Sequence, residues 1–163
     1  YFIRGGGNIV GDLIDGCDKK IVNRGQEINS KGGTIIFWVM PLWNRNMTET
    51  HYLLDIGEIN KNRISLFVND YNYLIFRIID DNGNVYESPL SVNFWDNYEW
   101  GFVGITWSQE EINLYFGADD LNGLAKSTLP VKNVKLNTTS FKDIFFGSDI
   151  NGKNQADSAF SKI

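Results

Sequence analysis

The chain has 163 residues and a formal net charge of −5 at pH 7. Its length suits one domain with a single core, and its acidic balance argues against nucleic acids and anionic membrane surfaces, which attract clusters of Lys and Arg. No run approaches the roughly 18 apolar residues of a membrane span, so we expect neither nucleic acid nor a membrane span.

The composition favours strands over helices. Aromatic residues make up 14% of the chain and hydrophobic residues 42%, with valine and isoleucine prominent and alanine scarce. Only three prolines are present, so the 16 glycines and the many Asn and Asp residues must make the turns. The single cysteine, Cys17, cannot form an internal disulfide and leaves the redox compartment open.

The first 31 residues are predicted to form an irregular entry segment with one or two short strands. Gly5–Gly7 and later Asp-Gly steps interrupt short apolar pieces. The chain opens with Tyr-Phe-Ile-Arg, which is neither an initiator methionine nor a signal peptide. We therefore expect it to be a piece of a longer protein.

From Gly33 onward, apolar stretches alternate with turn signals. Asn82 and Gly83 lie between two alternating stretches, which is a strong signal for a hairpin. The predicted strands of this part are Thr34–Met40, Tyr52–Gly57, Arg63–Val68, Tyr73–Ile79 and Asn84–Glu87.

Residues 99–117 predict the clearest β-hairpin of the chain. Every second residue of each strand is apolar, so one face of the hairpin is expected to be buried. Ser108–Glu111 supplies the polar turn. The residues of the buried face are Val103, Ile105 and Trp107 in the first strand and Ile112, Leu114 and Phe116 in the second.

Two further short strands are predicted, at Val131–Leu136 and within Lys142–Ser148. No stretch has helical spacing over a useful length. Strands at intervals of about 8–12 residues, with turn signals between them, are typical of an antiparallel sandwich or barrel. The predicted fold class is therefore all-β, with residues 1–163 forming one antiparallel β-sandwich or barrel.

The central hairpin has a tryptophan that opens its first strand, a Thr-Trp pair that closes it, and a second strand of the form Ile-x-Leu-Tyr-Phe-Gly. This pattern resembles the signature hairpin of laminin-G-like, concanavalin-A-like jelly rolls, the lectin and glucanase superfamily. Gly33–Pro41, Asn62–Val68 and Asp143–Ser148 are similar to three other strands of that family. The resemblance implies a jelly roll, a fold whose members bind sugars, bind proteins, hydrolyse glycans or fill structural roles.

The closing residues Ala159–Ile163 resemble the lead into the family's last strand. The resemblance thus implies that the final strand is missing here or is supplied by a partner. A missing strand exposes a sheet edge, which favours aggregation unless the N-terminal segment or a neighbouring molecule covers it.

Asp55 and Glu58 come nearest to the paired acids with which glucanases of this fold act, one as acid and base and the other as nucleophile. Leu53 or Leu54 stands where the motif Glu-x-Asp-x-x-Glu needs its first glutamate. The single histidine, His51, has no Ser or Cys nucleophile in a recognised elbow and is expected at the surface. We therefore predict no catalytic residues.

Sugar recognition uses aromatic rings that stack on the sugar and polar side chains that bind its hydroxyls. Trp38, Trp100 and Trp107 match positions that the resemblance makes structural. Three polar loops carry other aromatic residues, which either bind ligand or cap the core. The predicted ligand-binding residues are Trp43, Asn44, Arg45, Tyr71, Tyr73, Trp95, Asp96 and Asn97.

The stretch 149–154 is dense in the oxygen atoms that calcium prefers, and Gly152 allows a sharp turn. The resemblance implies a structural calcium ion, although a plain turn rich in Asn and Asp is the alternative. The predicted metal ligands are Asp149, Asn151 and Asp157. Further candidates from the other terminus are Asp12, Asp15 and Asp18.

These observations predict a non-catalytic, lectin-like carbohydrate-binding module of a larger extracellular, cell-surface or virion protein. Its expected partners are a glycan or polysaccharide and the other domains of the parent protein. The alternative is a structural or protein-interaction domain, for instance of a phage tail assembly, without a sugar site. A more distant alternative is a glycoside hydrolase or polysaccharide lyase.

Overall fold

A computed structural model of the chain describes residues 2–4, 8–10, 19–22, 28–44, 46–118, 123–137, 139, 141 and 143–161. For the first three of these segments it describes the backbone alone. Some predictions fall outside the described residues and stay predictions. They are those for Asp12, Asp15, Cys17, Asp18 and Arg45.

The described chain consists of strands joined by turns and loops, and every pairing between these strands is antiparallel. This confirms the predicted all-β fold class. The strands are β1 (Phe2–Arg4), β2 (Asn8–Val10), β3 (Lys19–Val22), β4 (Gly32–Pro41), β5 (His51–Gly57), β6 (Arg63–Val68), β7 (Tyr73–Ile79), β8 (Val85–Ser91), β9 (Gly101–Ser108), β10 (Glu111–Ala118), β11 (Ala125–Pro130), β12 (Asp143–Phe146) and β13 (Ser158–Ser161).

The strands form two sheets that pack face to face. One sheet has seven strands in the order β11-β10-β9-β4-β13-β1-β2, and the other has six in the order β3-β12-β5-β6-β7-β8. Strands β9 and β10 are the predicted central hairpin, with Trp107 opposite Ile112. Strands β6 and β7 also have the predicted bounds.

Strand β13 lies inside the seven-stranded sheet. Its Phe160 is opposite Val39 of β4 on one side and opposite Ile3 of β1 on the other. Ser158–Ser161 is therefore itself a strand, which corrects the implied role of these residues as the lead into a later one. Together with the N-terminal strands, β13 covers the side of β4 that faces away from β9.

One predicted strand is wrong. Val131–Leu136 is an irregular crossing that carries buried apolar side chains, and the N–H of Val131 binds the carbonyl of Glu110 at 2.7 Å. The strand that pairs with β10 is instead β11, whose burial alternates along its length. The segment resembles a strand in sequence because several of its residues are apolar. Those residues cover the core, but their backbone pairs with no neighbouring strand.

Antiparallel pairing gathers the connecting segments at two ends of the sandwich. The segments of one end, which we call the loop end, are 42–50, 69–72, 92–100 and 147–157. The opposite end carries short hairpin turns such as 58–62 and 80–84. The predicted ligand-binding and metal residues that the structure describes all lie in or directly beside the segments of the loop end.

Aromatic rings from both sheets form the centre of the core. Phe37 contacts Phe146 edge to face at 5.8 Å between ring centroids, and it contacts Phe160 at 5.7 Å. The three residues are no more than 3% exposed. Since Phe37 and Phe160 belong to the seven-stranded sheet and Phe146 to the six-stranded one, these contacts hold the two sheets together.

A buried ion pair joins β5 to β6 on the outer face of the six-stranded sheet. The Asp55 carboxylate accepts hydrogen bonds from Nε and Nη2 of Arg63 at 2.9 and 2.5 Å. It also accepts the Ser65 hydroxyl at 2.7 Å and the N–H of Ile150 at 2.9 Å. These four donors satisfy both carboxylate oxygens, and the bond from Ile150 fixes segment 147–157 against the sheet.

We expect Asp55→Asn to lower the free energy of unfolding by about 3 kcal/mol or more, because it leaves the Arg63 guanidinium buried without its counter-charge. The two side chains are 0% and 11% exposed. The matched control is Glu87→Gln, which removes the charge of the more exposed Arg77–Glu87 pair and is expected to cost less than about 1 kcal/mol. Urea denaturation measures both losses. Equal losses would show that the Asp55 pair does not fix the fold.

Candidate functional site

The two loop tryptophans that were predicted to bind ligand lie in the core of the loop end. Trp43 is 7% exposed and Trp95 is 1% exposed, and their rings meet edge to face at 5.5 Å. Trp43 Nε1 donates to the carbonyl of Ala156 at 2.7 Å, and Trp95 Nε1 donates to that of Glu99 at 3.1 Å. Neither ring offers a face to a sugar. This corrects their predicted stacking role and supports the alternative that loop aromatics cap the core.

His51 belongs to the same aromatic cluster, which corrects its expected place at the surface. Its ring stacks on Trp43 at 5.2 Å with an interplanar angle of 18°, and the residue is 7% exposed. Nδ1 lies 2.8 Å from the carbonyl oxygen of Gln155. Because a carbonyl only accepts, Nδ1 carries the proton of this bond, and in that tautomer the lone pair lies on Nε2. Among the described residues, Nε2 has no hydrogen-bond partner.

A cleft of about 670 Å³ opens beside this cluster. The residues that line it, which define the polar cleft, are Glu49, Thr50, His51, Asn154, Gln155 and Asp157. Asn154 and Asp157 have left-handed backbones, with φ of 50° and 42°, and Asn and Asp adopt this conformation more readily than other non-glycine residues. The loop before β13 thus has left-handed backbone at the cleft, where Asn154, Gln155 and Asp157 are exposed.

The two tyrosines predicted to bind ligand are exposed. Tyr71 is 71% exposed and Tyr73 is 41% exposed. Their N–H groups donate to Oδ1 of Asn69 at 3.1 and 2.9 Å, which shapes the turn between β6 and β7. Both rings are accessible, but neither lines the polar cleft.

The polar residues predicted beside the loop tryptophans lie in separate turns. Asn44 Oδ1 accepts the N–H of Asn46 at 2.9 Å and so closes its own turn. Asp96 is exposed, and Asn97 is half-buried. Asn44 and the neighbours Asp96 and Asn97 thus lie in two different segments of the loop end, 42–50 and 92–100, and their contact with a ligand stays a prediction.

Asp149 organises the turn that was predicted to bind calcium. Its Oδ1 accepts the N–H groups of Asn151 and Lys153 at 2.8 and 2.9 Å, and its Oδ2 accepts Nδ2 of Asn154 at 2.8 Å. Asn151 is exposed, and Asp157 lines the polar cleft. In the described part of the chain, no three His, Cys, Asp or Glu residues are arranged to hold a metal ion. This arrangement fits a capped turn better than a calcium site.

A second accessible surface lies on the outer face of the seven-stranded sheet, near the loop end. This aromatic groove has a volume of about 320 Å³. The residues that line it are Trp38, Phe102, Gly117, Ala118 and Leu124. Trp38 and Phe102 are cross-strand partners whose half-buried rings meet edge to face at 5.8 Å. Leu124 at the rim is 59% exposed, so the groove presents accessible apolar surface.

Two glycines leave the outer face beside Phe102 free of side chains. A Cβ at Gly117 would lie 2.8 Å from Cδ2 of Leu124, which is too close for real atoms. A Cβ at Gly104 would lie 3.4 Å from Cε1 of Phe102. Both glycines share a face with Phe102, since Gly117 is its cross-strand partner and Gly104 is two residues further along β9. The absence of side chains therefore leaves the groove open.

Two further rows of side chains continue this face away from the loop end. The middle row is Ile36, Gly104, Tyr115 and Lys126. The polar row is Thr34, Thr106, Asn113 and Thr128. Asn113 Nδ2 donates to Thr106 Oγ1 at 3.1 Å, and Thr128 Oγ1 donates to Asn113 Oδ1 at 2.7 Å. The polar side chains therefore form a connected ladder across β9, β10 and β11.

The signal for the aromatic groove was present in the sequence. Since Val103 and Ile105 alternate on the buried face of β9, Phe102 must point outward. The family resemblance made both Trp38 and Trp107 structural. The structure buries Trp107 at 5% exposure, whereas Trp38 lies on the outer face and is half-buried.

The acids nearest to the glucanase motif do not form a catalytic pair. Hydrogen-bond donors occupy both oxygens of Asp55, and Glu58 lies in the turn after β5. Burial raises the pKa of the neighbouring Tyr52 above its ordinary value, so its phenol is protonated at neutral pH.

No helix in the described residues is long and apolar enough to cross a membrane.

Neither a protein-family model nor a curated protein matches the sequence. Solved structures match, each at 12% identity and over 95% of this chain. Domains LG4-5 of the mouse laminin alpha1 chain have a TM-score of 0.64 over 35% of their chain. The CBM40 of the Ruminococcus gnavus IT-sialidase, bound to alpha2,3 sialyllactose, has a TM-score of 0.58 over 82% of its chain. The enzymatically active domain of tailspike protein 2 of bacteriophage CBA120 has a TM-score of 0.60 over 26% of its chain.

At this level of identity the likenesses concern the fold alone. The chain spans about a third of the laminin chain and a quarter of the tailspike chain. Binding modules and an enzyme domain both occur among these structures, so the fold accommodates either activity. With its two antiparallel sheets and these neighbours, the chain has the laminin-G-like, concanavalin-A-like jelly-roll fold.

Proposed function

We propose that this domain is a non-catalytic, lectin-like carbohydrate-binding module of a larger extracellular, cell-surface or virion protein. The observation that carries the proposal is the aromatic groove of Trp38 and Phe102, which continues into rows of polar and charged side chains. Aromatic rings stack on the apolar face of a pyranose, and neighbouring hydroxyl and amide groups bind its hydroxyls. The likeness to a CBM40 supports the proposal at the level of the fold, and the likeness to a phage tailspike supports the virion as one location.

The three rows of the outer face set the size of the ligand. A strand rises about 3.3 Å per residue, so the rows of Trp38, Ile36 and Thr34 together span roughly 13 Å. That span suits an oligosaccharide laid along β4 and β9 better than a single sugar. The first ring of such a ligand would occupy the aromatic groove.

Each row offers the ligand a different interaction. Trp38 and Phe102 supply apolar contact. In the middle row, Lys126 Nζ lies 5.3 Å from the ring centroid of Tyr115, which places a cation and an aromatic ring together. In the polar row, the Thr128 hydroxyl donates a hydrogen bond to Oδ1 of Asn113, so its oxygen can accept a hydrogen bond from a sugar hydroxyl. The face thus combines stacking with hydrogen bonding along one line.

A structural or protein-interaction domain is the second candidate function. Ile36 is 53% exposed and Leu124 is 59% exposed, and exposed apolar residues beside a groove also suit a protein partner. The other domains of the parent protein are partners of this kind. A hydrolase or lyase is a distant third candidate, which only the likeness to a tailspike domain supports.

We expect Trp38→Ala and Phe102→Ala each to weaken glycan binding by about tenfold or more, because each removes a ring that would contact the sugar. The free energy of unfolding should fall by less than about 2 kcal/mol, since both rings are only half-buried. A broad glycan array followed by titration measures binding, and urea denaturation measures stability.

Trp43→Ala is the matched control, because it removes the same side chain from the core and should cost about 3–5 kcal/mol of stability. A Trp38→Ala variant that binds glycans as tightly as the unmodified chain would contradict the assignment of the groove. A folded chain that binds nothing on the array would favour the protein-interaction candidate.

Calcium binding by Asp149, Asn151 and Asp157 stays a prediction from the sequence. Because N–H donors occupy both oxygens of Asp149 in this arrangement, we expect calorimetry to give the same thermal midpoint in calcium and in a chelator. A midpoint that calcium raises, and that no longer rises in Asp149→Asn, would show that the turn rearranges around the ion.

A further inference from the structure

We propose that the polar cleft binds a protonated amino sugar, that is, a hexose whose amino group is not acetylated. The cleft lies between segments 42–50 and 147–157, whereas the aromatic groove lies on the outer face of the seven-stranded sheet. No residue that the structure describes lines both. The inference therefore adds a second site and does not require the groove to bind glycan.

The charge of the cleft favours a cation. Glu49 and Asp157 contribute two carboxylates, which only accept hydrogen bonds when ionised. Among the described residues that line the cleft, none is a lysine or an arginine. An anionic sugar would bring its own carboxylate against these two acids, and like charges oppose such a contact. A ligand with a positive charge and several donors complements this lining.

His51 provides a second, independent observation. The stack on Trp43 holds its ring plane, and the bond to the Gln155 carbonyl holds its proton on Nδ1. The residue is 7% exposed and lines the cleft, so its Nε2 lone pair is a fixed acceptor with no partner among the described residues. A buried acceptor without a partner costs free energy, which a donor on a ligand recovers. An ammonium group has three donors, enough for Nε2 and for both carboxylates.

The rest of the lining suits the hydroxyl groups that flank the amine of an amino sugar. Nδ2 of Asn154 donates a hydrogen bond to Oδ2 of Asp149, and Oδ1 of Asn154 can accept one from a ligand. Thr50 supplies a hydroxyl that can donate or accept. A cleft of about 670 Å³ is large enough for a sugar unit within a chain. Among the described residues, the acids and His51 do not form a three-ligand metal group, so a metal ion matches this lining less well than an amine does.

Isothermal titration calorimetry at neutral pH with a tetramer of β-linked glucosamine tests the inference. The matched ligand is the N-acetylated tetramer, which keeps the backbone and removes the charge. We expect the glucosamine tetramer to bind at least about tenfold more tightly. The double variant Glu49→Gln/Asp157→Asn should lose about tenfold or more in affinity, and Asn tolerates the left-handed backbone of residue 157.

A control variant shows whether binding of the glucosamine tetramer depends on the polar cleft. Glu110→Gln removes an exposed acid from the turn between β9 and β10 at the opposite end, and it should bind the glucosamine tetramer like the unmodified chain. Equal affinity for the two tetramers, no binding of the glucosamine tetramer, or full affinity in the double variant would each overturn the inference.

Discussion

The carboxylate of Asp55 is the contact on which the architecture of the loop end depends. Its bond from Ile150 fixes the segment between β12 and β13 against the six-stranded sheet. Further along the same segment, the carbonyls of Gln155 and Ala156 hold the rings of His51 and Trp43. Burial of an ion pair is costly, and the four donors around Asp55 offset that cost only in this geometry. The ion pair therefore specifies where the segment lies, and with it the wall of the polar cleft.

Aromatic residues have two distinct roles in this sandwich. Loops that close one end of two packed sheets must cover apolar core edges, so Trp43 and Trp95 are buried although their sequence neighbours are polar. A strand, in contrast, presents every second side chain to the outside, so Trp38 and Phe102 are accessible although they lie within regular strands. Polar neighbours in sequence therefore do not indicate that an aromatic side chain is exposed. Its position in the alternation of inward and outward residues along a strand is a better indicator.

Local patterns predicted most of the strands, and long-range packing explains the failures. The bounds of β6 and β7 and the pairing of β9 with β10 follow from alternation and from short turns, which involve residues close in sequence. The strand predicted at Val131–Leu136 is wrong because the apolar residues there pack on the core without pairing with a neighbouring strand. Local pattern also did not predict the place of β13 between β4 and β1, since its partner strands lie more than a hundred residues away in the chain.

The candidate sites divide along the same line. The sequence by itself determined the all-β class, the central hairpin and the outward direction of the Phe102 side chain, because period-two alternation is a property of the strand alone. Only the tertiary structure decided that Trp43 and Trp95 are core residues, that Asp149 caps a turn, and that His51 shares a cleft with Glu49 and Asp157. Each of these depends on contacts between segments that are distant in sequence. Burial and hydrogen bonding between such segments are set by how the two sheets and their loops pack, which no local pattern records.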